Sequence, residues 1–359
     1  MTAKELLDKI FQVSSEKKYP DIHLNTWNKP LIRDTSGNIT ILEWEYPVLN
    51  KVAISEIIKI VSWESGFKKF ESDMDLDISY QYNNGNRYRV NCYMDTNGYS
   101  IAMRLIPEKI PTLEELWLWE QIKDMCNKSK WLVLVTWPTG SGKSTNLAAM
   151  IDYINSNHAK HIITIEDPVE FSFQSKKSLI NQREIWNSAK WFSESIRSSL
   201  REDPDIVMVW EMRDPETIKA AITLAETGHL VFSTLHTNDS VQTIDRIVDV
   251  FPSNQQAQIR MQLSQSLVWV VSQRLIPRSD KEWRIAAREI MITNDAVKNL
   301  ILSWKTHQLY SVLEVSQKSG MILMDKYLLA LYRKNIISVE TLKSFSRDKD
   351  SIEMMIEQQ

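Results

Sequence analysis

The stretch "LVLVTWPTGSGKST", residues 132–145, sets Gly140, Ser141, Gly142, Lys143, Ser144 and Thr145 side by side. Glycines at this spacing let backbone N–H groups turn toward an anion. A lysine directly after them reaches β- and γ-phosphates, and the next serine hydroxyl suits Mg²⁺. The apolar, β-branched run in front has the character of a buried parallel strand, and "STNLAAMIDYI" behind has helical spacing. Pro138 and Thr139 fill the loop, but Trp137 stands where the pattern G-x-x-x-x-G-K-[ST] opens with glycine.

Chemistry on a bound ATP also needs a carboxylate near Mg²⁺ and a group that orients or deprotonates the attacking water. Two candidates follow predicted strands, at the end where α/β sheets bind ligands. "ITIEDPVEF" offers Glu166, Asp167 and Glu170, and "DIVMVWEMRD" runs an apolar strand into Trp210 and Glu211. Acidic residues after a strand also serve as caps of the next helix, and it is their recurrence on two strands that points to chemistry. In "ETGHLVFSTLHTNDS", His229 precedes a buried strand and His236 follows it. His236 therefore falls at the same sheet edge as Lys143 and Glu211, in reach of a γ-phosphate. Arg89 and Arg104 lie on hairpin strands of "YRVNCYMDTNGYSIAMRLIP", and an arginine brought from another domain or subunit can stabilise a transferring phosphoryl group.

These residues need a scaffold, and the chain has length for two domains at 359 residues. Residues 1–105 alternate short strands with turn signals around a helix near 54–70, which predicts a small α+β domain. The prolines of "IPEKIPTLEEL" predict a linker over 106–128. Strands expected at 132–136, 161–165, 205–209 and 230–235, separated by helical patterns, predict an α/β domain over 129–293 with a mainly parallel sheet. From 294 to 359 the periodicity is helical throughout.

With 43 Lys and Arg against 46 Asp and Glu, the net charge is −3, and no basic field recruits nucleic acid. The two cysteines, Cys92 and Cys126, form neither a disulfide framework nor a zinc motif. No apolar run is long enough to span a bilayer, so a soluble, cytoplasmic protein is expected.

Over nearly its whole length the chain resembles the secretion and type IV pilus motor ATPases, most closely the pilus-retraction (twitching motility) branch. The resemblance rests on "DIHLNTWNKPLIR", "PTGSGKSTNLAAMIDYIN", "ITIEDPVEF", "LREDPDIVMVWEMRDPETIKAAITLAETGHLVFSTLHTNDSVQTIDRIVDVFP" and "AVKNLILSWK". It implies a PAS-like N-terminal domain, a RecA-like P-loop ATPase domain and a homohexameric ring with ATP and Mg²⁺ at subunit interfaces. It also implies an inner-membrane pilus platform protein as partner at the cytoplasmic face. By resemblance, residues 138–145 bind the nucleotide together with Arg89 and His229. Ser144, Glu211 and Asp167 serve the metal, Glu170 is the general base, and Lys143, His236 and Arg104 complete the catalytic set. Pilus-assembly ATPases share these core motifs but usually add a longer N-terminal region and a four-cysteine zinc insertion, which this chain lacks. A RecA-like nucleic-acid translocase fits the charge balance and the two boxes less well. A catalytically impaired ring subunit is the reading that a genuine Trp137 favours.

Glycine is scarce and tryptophan abundant, 8 against 13, where average usage of about 7% predicts roughly 25 glycines. Against the family pattern, Trp27, Trp117, Trp131, Trp137, Trp186, Trp210, Trp269, Trp283 and Trp304 occupy places where glycine is expected. Trp44, Trp63, Trp119 and Trp191 are undecided by that comparison. The pattern predicts a gene in which UGA codes for glycine and has been rendered as tryptophan.

Overall fold

The structure is a computed structural model that describes residues 2–17, 19–34, 38–42, 45–82, 85–106, 109–116, 120–136, 142–185, 191–280 and 284–357. Its contacts divide the chain into two units. Met1–Ile110 with Asp167–Ser172 forms the first, and Pro111–Glu166 with Phe173–Gln359 the second.

In the first unit, α1 (Ala3–Lys17) precedes β1 (Asp21–Asn25), β2 (Leu31–Arg33) and β3 (Ile39–Ile41). Helix α2 (Lys51–Asp73) and the strands β4 (Asp75–Gln81), β5 (Arg87–Asp95) and β6 (Gly98–Ile106) follow. The strands make one antiparallel six-stranded sheet in the order β3-β2-β1-β6-β5-β4. Alternation decides its faces. Ile22, Leu24, Tyr88, Val90, Ile101 and Met103 join Leu7, Phe11, Ile54 and Ile57 of the helices in the core. The alternate residues Asp21, Arg89 and Arg104 therefore point to the other face, where register aligns Arg33, Asp21, Arg104 and Arg89 in a single row across four strands.

The second unit contains α3 (Glu120–Cys126), β7 (Trp131–Thr136), α4 (Lys143–Asn157), β8 (His161–Glu166), β9 (Leu179–Glu184), α5 (Phe192–Ser199) and β10 (Ile206–Val209). It continues with α6 (Pro215–Glu226), β11 (Leu230–Leu235), α7 (Ser240–Asp249), α8 (Ser253–Ser266), β12 (Leu267–Pro277) and β13 (Arg284–Ile292), then with short helices up to Lys349–Glu357. The seven-stranded sheet runs β13-β12-β7-β11-β10-β8-β9. All its pairings are parallel except that of β13, which closes one edge antiparallel to β12. Both faces are covered, which is why the strands read as continuous apolar runs. Leu132, Leu134, Val207, Val209 and Val231 pack on one side, and Val133, Val135, Ile206, Met208 and Phe232 on the other.

The segment expected as a linker over 106–128 includes packed structure. Leu113, Ile122, Met125 and Cys126 are buried in the core of the second unit. The strands β9, β12 and β13 had no counterpart in the sequence reading.

Candidate active site

The strand β7 ends at Thr136, and Trp137, Pro138, Thr139, Gly140 and Ser141 lie outside the described residues. Description resumes at Gly142, the N-cap of α4, whose φ of 80° is left-handed backbone open to glycine without a Cβ penalty. Lys143 and Ser144 are the first two residues of α4, where backbone N–H groups have no partner inside the helix and the helix dipole favours an anion. Ser144 and Thr145 are half-buried at this helix start.

Polar residues of β12 brace this helix start. Asn146 donates to Gln273 Oε1 at 2.8 Å, and Arg288 of β13 donates to the same oxygen at 2.7 Å. Thr136 and Ser272 hydroxyls share a hydrogen bond of 2.7 Å across β7 and β12. Burial pushes the Arg288 guanidinium below its ordinary value. A cavity of about 380 Å³ opens here, lined by Gly142, Thr145, Asn146, Gln273, Arg288 and Tyr327 among others. The sequence reading missed this bracing. Its signal is the polar pair Ser272 and Gln273 inside an otherwise apolar strand.

Glu211 follows β10 and His236 follows β11, neighbouring parallel strands, so both emerge at the carboxyl edge that also carries the start of α4. The backbone around Glu211 is fixed from both sides. Trp210 N donates to Ile165 O at 2.9 Å and Met212 N to Thr234 O at 3.1 Å, while the Thr234 hydroxyl donates to Trp210 O. The carboxylate itself is only 11% exposed. Its Oε1 lies 3.1 Å from His236 Nε2 and its Oε2 accepts from Arg213 at 2.7 Å. A cavity of about 710 Å³ adjoins them, reaching Gln242, Asp245 and Arg246 of α7.

His229 is not brought to this group. It stands before β11, and register aligns the first residue of that strand with Trp131, the first of β7. A six-residue strand separates it from His236 by about 20 Å. Its Nδ1 is instead 3.1 Å from Leu224 O and 3.1 Å from the Thr227 hydroxyl. Glu166, the first acidic residue of its stretch, is buried and accepts from Thr164 at 2.6 Å and Gln182 at 3.0 Å, so it holds the end of β8.

Asp167 and Glu170 fall in the segment that groups with the first unit. There Glu170 Oε1 lies 3.7 Å from Arg89 Nη1. Arg89 Nε also donates to Asp77 at 3.0 Å; this hydrogen bond, with the charges of Asp77, Glu170 and Asp167, holds the guanidinium above its ordinary value. Arg104 donates to Asp21 at 2.7 Å yet remains 73% exposed. Asp21 is only 10% exposed but also holds Arg33 at 3.2 Å, so it keeps a partner when Arg104 turns to another anion.

Residues 3–337 match the family described as Type II/IV secretion system protein. The chain is 43% identical over 337 residues to the type IV pilus retractation ATPase PilT of Pseudomonas aeruginosa, covering 94% of this chain and 97% of that one. It is 44% identical over 306 residues to the twitching motility protein of Neisseria gonorrhoeae, covering 85% and 82%. A crystal structure of the pilus retraction motor PilT with bound ADP is similar in fold, with a TM-score of 0.88 at 40% identity over 97% of this chain and 98% of that one.

Proposed function

The chain belongs to the type II/IV secretion system protein family, and from that membership we propose that it is an ATP-driven motor that retracts a type IV pilus in twitching motility. The observation that carries this reading is the 43% identity with the Pseudomonas aeruginosa retraction ATPase over 94% of this chain and 97% of that one. On this reading residues 1–105 are the PAS-like domain, 129–293 the RecA-like ATPase domain and 294–359 its helical subdomain.

On this reading residues 138–145, which include the first turn of α4, take the phosphates of ATP. Lys143 compensates their charge. The Ser144 hydroxyl and the Glu211 carboxylate are hard oxygen donors of the kind Mg²⁺ takes, with Asp167 a third. Among the described residues no three His, Cys, Asp or Glu side chains converge as a metal cage. Mg²⁺ would need none, since it is usually held by few protein oxygens together with substrate phosphates and water. When bound, it neutralises charge on the phosphate oxygens.

Glu170 takes the proton of a water whose oxygen bonds to the γ-phosphorus, while the bond to the bridging oxygen breaks and ADP leaves with the electron pair. His236, hydrogen-bonded to Glu211, registers whether the γ-phosphate is present. Arg104 serves a neighbouring subunit's ATP in a homohexamer, and Arg89, beside Glu170, contributes to nucleotide binding. That ring works against an inner-membrane platform protein at the cytoplasmic face. No described helix is long and apolar enough to cross a membrane.

Replacing the chromosomal gene by its Lys143→Ala form tests the reading. Cells with abundant surface pili and no twitching are the expected result. Bald cells would make this an assembly ATPase, and normal twitching would put the ATP site elsewhere.

A further inference from the structure

We propose that the protein made by its own cells carries glycine where this sequence has Trp27, Trp63, Trp131 and Trp304, because the gene reads UGA as glycine, and that the same codon supplies glycine in the nucleotide site at positions 137 and 210.

The backbone carries the argument. Left-handed φ is uncommon for any residue with a Cβ and an outlier for a bulky one. Among the described residues seven non-glycine positions have it, and four of them are tryptophan: Trp27 at 70°, Trp63 at 53°, Trp131 at 102° and Trp304 at 62°. Two of the other three, Asp203 and Asn335, are residue types that tolerate this region, and the third, Met74, is the C-cap of α2. Only Trp191, Trp210 and Trp269 of the described tryptophans lack it. Five of the six described glycines behave alike, with Gly85, Gly98, Gly142, Gly228 and Gly320 at positive φ and only Gly66, inside α2, without it.

Two positions are more demanding than a simple left-handed turn. Trp63 interrupts α2 with φ 53° and ψ −178°, a region essentially restricted to glycine. Trp131 lies well beyond the narrow left-handed basin that Asn and Asp visit.

Nothing about the indoles compensates. Trp27, Trp63 and Trp304 are 67%, 59% and 51% exposed, so burial does not hold them in place. Trp269 is buried where β12 shifts register against β7, and its indole N–H has no hydrogen-bond partner. Lys130 sits over the Trp131 ring at 4.5 Å and Arg260 over the Trp304 ring at 4.1 Å. Trp304 is exposed and Trp131 half-buried, and neither contact calls for a left-handed backbone. Converting tryptophans to glycines also moves both counts toward ordinary composition.

The consequence for the site rests on the nucleotide-binding reading above, whereas the decoding itself does not. Glycine at position 137 completes the pattern G-x-x-x-x-G-K-[ST] from 137 to 144. Glycine at 210 removes an indole from the residue beside Glu211.

The test is tandem mass spectrometry of the protein isolated from its own cells, on peptides spanning positions 27, 63, 131 and 304, alongside the codons at those positions. Glycine in the peptides with UGA in the gene is expected. Tryptophan in any of the four peptides, or UGG at any of the four codons, overturns the proposal. A second readout uses purified full-length chains: Trp27→Gly, Trp63→Gly, Trp131→Gly and Trp304→Gly combined should raise Tm over the tryptophan chain, and an equal or lower Tm counts against the proposal. Neither readout involves nucleotide, so a failure of the ATPase reading leaves both intact.

Discussion

Glu211 shares its two carboxylate oxygens between His236 and Arg213, and that sharing is what a metal-side role would have to disturb. Glu211→Gln keeps the shape and removes the charge. We expect kcat for ATP to fall on the order of 10²-fold, with ATP affinity changed far less, because the charge matters most as negative charge shifts during phosphoryl transfer. A steady-state assay on the chain with glycine at position 137 measures it, and an unchanged kcat would remove Glu211 from the mechanism. The pairing with His236 was legible, since both residues follow apolar strands. The placement of His229 was not: resemblance assigns it to the nucleotide, although a residue before a parallel strand sits at the far edge from the start of α4. What sequence could not convey is the grip of Arg89 on Glu170, which depends on how separate segments meet in space.

At the scale of elements, one buried carboxyl serves two helix starts. Glu289 of β13 accepts from the backbone N–H of Ser240, first residue of α7, at 2.9 Å, and from that of Met324, first residue of a later helix, at 3.4 Å. Burial nevertheless dominates and pushes its carboxyl above the usual range, with the Asp239 charge acting in the same direction. A raised acid is still protonated in the folded chain when its unfolded counterpart has ionised. Its contribution is therefore fully favourable below the ordinary carboxylate range and declines as pH rises through the folded pKa. Glu289→Gln cannot ionise, so the Tm of the wild type relative to this variant should fall as pH rises from about pH 4, the ordinary carboxylate range, toward the raised folded pKa. A difference that stays flat across that window would show Glu289 ionised in the fold. The parallel strands of this unit were readable from apolar runs bounded by turn signals. The edge pair β12 and β13 was not, because Ser272, Gln273 and Arg288 interrupt the apolar pattern for the sake of the bracing at Asn146. Nor was the break of α2 at Trp63, where the residue type argues against the conformation it adopts.

At the scale of the whole molecule, the hexamer reading makes Arg104 act on a neighbour's nucleotide. Its 73% exposure and its single-edged pairing with Asp21 suit a side chain that is to be handed across an interface. Two variants separate that arrangement from action within one chain. Lys143→Ala chains lack a working phosphate loop but keep the arginine, and Arg104→Ala chains have the reverse defect. Each alone should hydrolyse ATP poorly. If the arginine acts in trans, an oligomer assembled from both contains interfaces where an intact loop meets an intact Arg104, and those interfaces regain activity. Dissociating the two variants, mixing them and reassembling the oligomer should therefore give more ATPase activity than the average of the separate preparations, rising to a maximum near equal amounts. If Arg104 instead served the ATP of its own chain, no subunit in the mixture would hold a complete site. Activity would then follow the weighted mean at every ratio, and the assignment of Arg104 to the neighbour's nucleotide would have to be given up.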